Sequence, residues 1–230
     1  MPSLGRSIME RTVEDLVCAP GVLEPELRAA LLRGEAAEVE RVVGNRFGAA
    51  GAPLLELWSK ILYEQTSITQ ADIDRALSGL GEIGAPEEAL FELVVLTAHS
   101  VGLQQVNQGL VALGEAPYSI PGCAAAAARP FRPPRWGGPP AGRSMRLAVA
   151  HRTALGTWLA FKVQMKVVAL LAGGLPVPDV LLSMGHRIDF WGLHCMDAFQ
   201  YWMCHADSFW QRVQREYMAG FLSRLNHCEF

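Results

Sequence analysis

Two groups of residues in the chain could do chemistry. Near its end, WQRVQREYMAGFLSRLNHCEF places Glu216 twelve residues before Cys228, with His227 beside the thiol. A redox-active cysteine reacts as a thiolate, so a helix N-terminus that lowers its pKa and a nearby carboxylate that serves as base form a workable set. On one straight helix twelve residues span about 18 Å. The helix must therefore end between Glu216 and Cys228 if the two are to meet, and Asn226, which tolerates the left-handed conformation, is the expected stop. His227 is read either as a proton carrier or as a cap for spare helix carbonyls. The second group is three adjacent pairs, His194-Cys195, Cys204-His205 and His227-Cys228. Imidazole and thiolate suit zinc, but neighbours on a helix point about 100° apart and rarely ligate one metal together. Cys195 and Cys204 are expected to be buried as small hydrophobes, and neither a metal nor a cofactor is expected.

The C-terminal segment resembles the alkylhydroperoxidase D and carboxymuconolactone decarboxylase family. Arg215-Glu216 after Trp210 is similar to the family's approach to its motif. MGHRIDFWG, residues 184–192, is similar to its lead-in, with Ile188 where many members carry proline. The likeness covers residues 179–230. It implies an all-helical fold in which a glutamate on one helix precedes a C-x-x-C motif opening the next. It also implies thiol-dependent reduction of a small-molecule hydroperoxide, with Cys228 as the attacking thiol, Glu216 as base, His227 assisting and an external thiol as reductant. The sequence stops at Phe230, one residue before the second cysteine of that motif would fall. The expectation is a motif truncated within C-x-x-C, and the alternative is a catalytically inert helical scaffold that self-associates through the aromatic second half. In the first half, LFELVVLTAHSVGLQQVNQGLVAL is similar to a degenerate copy. There Glu92 is followed by Gln104 and Asn107 where the cysteines would fall.

The elements that must carry these residues read as helices. Pro25, Pro53 and Pro86 stand where a first helical residue belongs, since a missing N–H costs nothing there. Leu54, Trp58, Ile61 and Leu62 lie on one helix face. Thr69 with Asp72 three residues on reads as an N-cap and capping box ahead of Ile73, Leu77 and Leu80. Gly34 and Gly81 read as stops. From Pro86 to about Leu113 the chain is apolar nearly all round, which predicts a central helix covered by its neighbours. No stretch alternates with period two, so the expected fold is all-α. In the second half, residues 151–175 are the most hydrophobic stretch. Lys162 and Lys166 near its middle would each cost roughly 2.5–3.5 kcal/mol in a bilayer, which favours a buried or docked helix over a membrane span.

Half of the 230 residues are hydrophobic and 19% are charged, which excludes a disordered chain. The net charge of −3 gives no bulk attraction to nucleic acid. Five cysteines are too few for a secreted disulfide scaffold, and MPSLGRSIMERTVEDL lacks the apolar run of a secretory signal, so the expected compartment is the cytoplasm. Residues 1–120 hold 17 acidic and 8 basic residues, a balance of −9, and residues 121–230 hold 6 and 12, a balance of +6. Between the halves, seven of the fourteen prolines fall from Pro117 to Pro140. The organisation expected is a bundle of two related or loosely related halves: an N-terminal helical domain over 1–115, a Pro/Gly/Ala-rich linker over 116–145 and a C-terminal helical domain over 146–230. Homo-oligomers are expected.

Overall fold

A computed structural model describes residues 4–83 and 85–122, together with eleven isolated positions between 163 and 221. Among the described residues there is helix and no strand, as an all-α chain requires. Within residues 4–122 six α-helices follow one another: α1 (Leu4–Cys18), α2 (Pro25–Arg33), α3 (Ala36–Phe47), α4 (Ala52–Tyr63), α5 (Gln70–Gly79) and α6 (Pro86–Ala112). Short 3-10 turns, Gly48–Gly51 and Gln65–Ser67, lead into and out of α4.

Local chemistry sets the helix ends. Pro25 and Pro86 are the first residues of α2 and α6, and Pro53 is the second residue of α4. Thr69 caps α5 through the expected box: its hydroxyl accepts from the Asp72 N–H, and the Asp72 carboxylate accepts from the Thr69 N–H at 2.7 Å. Lys60 and the Thr69 groups donate to the same carboxylate and hold it well below the usual carboxylate range. Arg75, which also reaches Glu56, donates to it at 2.6 Å and ties α5 to α4. Gly34 ends α2 in the left-handed region, φ 70°, which a side chain would strain. Gly81 lies two residues beyond the end of α5, so the stop there comes earlier than the glycine.

One apolar core joins these helices. Leu27, Leu31, Leu54, Leu57, Leu90 and Leu96 are all essentially excluded from solvent. α6 is the element the others surround, packing against α2, α4 and α5. Its length and hydropathy would suffice to cross a membrane, but 56% of that apolar window is buried inside the bundle, which is the mark of a core helix. The burial is uneven along it. Residues 88–103 supply all the buried positions, while Val106 and Val111 beyond them are 43% and 61% exposed. The expectation of a helix covered along its whole length therefore holds for its first two thirds only. After Ala112 the chain turns back, and Tyr118, inside the stretch read as linker, is buried against α6.

Candidate functional site

Cys228, Glu216 and His227 lie outside the described residues, as do the three His/Cys pairs. The described residues include the stretch of the first half expected to be a degenerate copy. Glu92, Gln104 and Asn107 all lie on α6, which runs unbroken from Pro86 to Ala112. Twelve residues of continuous helix set Glu92 and Gln104 about 18 Å apart, so the two do not share a site.

Each of the three has a structural occupation. Glu92 is fully buried and accepts hydrogen bonds from the loop that follows α1: the Val22 N–H donates to Oε1 at 2.9 Å and to Oε2 at 3.1 Å, and the Leu23 N–H to Oε2 at 2.9 Å. Arg28 comes to the same loop from α2, buried, and donates to the Ala19 carbonyl at 2.7 Å. Both side chains converge on Gly21, where a Cβ would lie 2.8 Å from Arg28 Cζ and 3.1 Å from Glu92 Oε2. Only glycine fits. A buried carboxylate accepting two main-chain amides is a loop clasp: it satisfies donors that would otherwise be stranded away from water. Gln104 Nε2 donates to the Arg33 carbonyl at 2.8 Å, closing the C-terminal end of α2. Asn107 receives the Tyr118 N–H at 2.7 Å and donates to the Tyr118 carbonyl at 3.1 Å, so it fastens the returning chain to α6.

A different feature has the form of a binding site. Between α1 and the exposed end of α6 lies a cavity of about 510 Å³ with an almost wholly apolar lining, including Met9, Leu16, His99, Leu103, Val106 and Tyr118. Its polar groups are turned to the backbone. Thr12 donates to the Ile8 carbonyl at 2.9 Å, and His99 Nδ1 lies 2.8 Å from the Val95 carbonyl. Burial pushes the His99 imidazole below its ordinary pKa, against the smaller opposing effect of that carbonyl. Burial likewise raises the Tyr118 phenol, while the Arg6 guanidinium, 5.0 Å from the ring centroid, opposes it. Arg6 also donates to the Ala116 carbonyl at 2.6 Å, so one residue holds both the ring and the backbone of the returning chain.

Sequence reasoning missed this cavity. The α6 residues that line it belong to the stretch whose sequence is apolar nearly all round, and Tyr118 falls within the expected linker. A spacing of 99, 103, 106 and 110 along α6 marks one face, but only the position of α1 decides that this face is left open. Among the described residues no three His, Cys, Asp or Glu side chains come together as metal ligands. Compared with family models, with curated proteins and with solved structures, the chain matches none.

Proposed function

We propose that the chain is a thiol-dependent hydroperoxide reductase of the alkylhydroperoxidase D type, in which residues 4–122 act as a catalytically silent helical scaffold. The observation that carries the thiol chemistry is the twelve-residue spacing from Glu216 to Cys228. The silence of the first half is supported by the full engagement of Glu92, Gln104 and Asn107 in holding backbone. In this reading Glu216 takes the proton of Cys228, and the thiolate attacks one oxygen of the hydroperoxide. The O–O bond breaks, the departing alkoxide takes a proton and leaves as alcohol, and Cys228 becomes a sulfenic acid. An external thiol condenses with it and releases water. A second thiol then frees Cys228 and leaves the reductant as its disulfide. This chemistry expects a compartment that keeps thiols reduced, as the cytoplasm does.

The test compares hydroperoxide consumption, with excess small-molecule thiol, by the parent chain, Cys228→Ser and Glu92→Gln. Cys228→Ser should fall to the uncatalysed rate, and Glu92→Gln should keep the parent rate per folded molecule. Equal rates for the parent and Cys228→Ser would end the peroxidase reading and leave the second one, an inert self-associating scaffold. That second reading is favoured by the apolar surface left open along α6.

A further inference from the structure

After α6 the chain reverses and runs back beside the helix it has just left. Gly114, at φ 75°, makes the turn: its N–H donates to the Val111 carbonyl, and the Glu115 N–H donates to the Leu110 carbonyl at 2.8 Å. Beyond Glu115, among the described residues, no backbone-to-backbone hydrogen bond fixes residues 116–122. Ala116, Pro117 and Ser119 are exposed, and Tyr118 between them is buried. Side chains on two helices latch this stretch. Asn107 on α6 exchanges a pair of hydrogen bonds with the main chain of Tyr118. Arg6 on α1 donates to the Ala116 carbonyl and lies over the Tyr118 ring, with Glu10 3.8 Å from the same guanidinium.

Tyr118 stands between two spaces. One is the apolar cavity of about 510 Å³, and the other is a groove of about 280 Å³ edged by Arg33, Glu35, Gln104 and Asn107. Leu32, Leu103 and Tyr118 line both, and of these only Tyr118 lies outside a helix. We propose that residues 115–120 are a strap that opens about Gly114 while α1–α6 stay folded, and that Tyr118 is the movable partition it carries. Closed, the strap keeps the apolar cavity apart from the polar groove. Open, it joins them into one site with an apolar floor and a rim that carries Arg33, Glu35, Gln104 and Asn107. Two features make the strap the part that moves. Leu32 and Leu103 are fixed by the hydrogen-bond ladders of α2 and α6 and by the core, whereas the strap has one buried ring and side-chain latches at two places. A segment with much exposed backbone and few buried contacts opens at lower cost than the core beneath it. The turn residue is also a glycine whose missing Cβ would meet nothing within 4 Å, so no neighbour blocks rotation there.

The experiment reads the opening in two ways on the full chain. The first needs no variant: by nuclear magnetic resonance, the Tyr118 amide, protected by Asn107, should exchange with solvent at least tenfold faster than the amides of Leu93 and Leu96 in the buried part of α6, yet slower than an unprotected amide. The second follows alkylation by iodoacetamide, cysteine by cysteine, using mass spectrometry of peptides. Leu103→Cys places a thiol beside the partition, and Leu57→Cys places one equally buried on α4, away from both spaces. Adding Asn107→Ala, which releases the latch, should speed labelling at 103 at least tenfold and leave labelling at 57 within twofold. Tyr118 exchange as slow as that of Leu93 and Leu96 would mean that the strap opens only when the whole bundle does, and would overturn the proposal. Exchange at the unprotected rate would overturn it too, since nothing would then be latched. So would Asn107→Ala speeding both thiols by the same factor, or neither. Should a cysteine variant fail to fold, the amide exchange of the parent decides.

Discussion

At the scale of the single residue, three titratable side chains of the described half, Arg28, Glu92 and His99, meet backbone groups. Glu92 receives two amides, and Arg28 reaches a carbonyl of the same loop. His99 faces the Val95 carbonyl and is held below its ordinary pKa chiefly by burial. That shift has a consequence for stability. In the unfolded chain the imidazole takes up a proton near pH 6.5, and in the folded protein only at lower pH. Just below pH 6.5 the unfolded state therefore binds more protons, so the contribution of His99 is complete above that value and is lost as pH falls toward the folded pKa. The parent should lose stability to urea between about pH 7 and about pH 5.5, and His99→Gln should lose less over the same range. Identical slopes for the two proteins would mean that His99 is as free to protonate in the fold as out of it.

At the scale of the element, what was legible in the sequence was what local chemistry decides. Pro25, Pro53 and Pro86 mark helix starts because a proline can stand only where no amide is needed, and the Thr69-Asp72 box and Gly34 work through contacts within a few residues. Thr69→Ala should therefore lower stability by about 1 kcal/mol, the usual value of a lost N-cap, measured by urea denaturation at neutral pH. No change at all would show that Asp72, still held by Lys60 and Arg75, anchors the start of α5 alone. What local chemistry does not decide was not legible. Apolar residues recur all along α6, but which are covered depends on where α1 and the chain after Ala112 lie. Nothing in the sequence near Gln104 and Asn107 marks their roles, since the carbonyl each serves belongs to a residue 71 or 11 positions away. The thiol site at Glu216, His227 and Cys228 lies outside the described residues.

At the scale of the whole molecule, the described core runs in sequence from Val13 to Tyr118. Among the described residues its apolar side chains come from α1 to α6, the loops between them and the segment that returns along α6, and a fragment of residues 1–122 should fold alone and unfold in one cooperative step. Tyr118 decides where such a fragment must end. Cutting after residue 115 removes its buried ring, leaves Asn107 without both of its main-chain partners and takes away the aromatic face beneath Arg6. A buried aromatic contributes roughly 1.5–3 kcal/mol, and two lost hydrogen bonds add about 1 kcal/mol each. For a domain of this size each kcal/mol moves the melting temperature by about 4–8 °C. The fragment 1–115 should therefore melt at least 10 °C below 1–122, followed by far-ultraviolet circular dichroism, or fail to fold. Equal melting would mean that the first helical unit ends with α6 and that the chain from 116 onward is linker from its first residue.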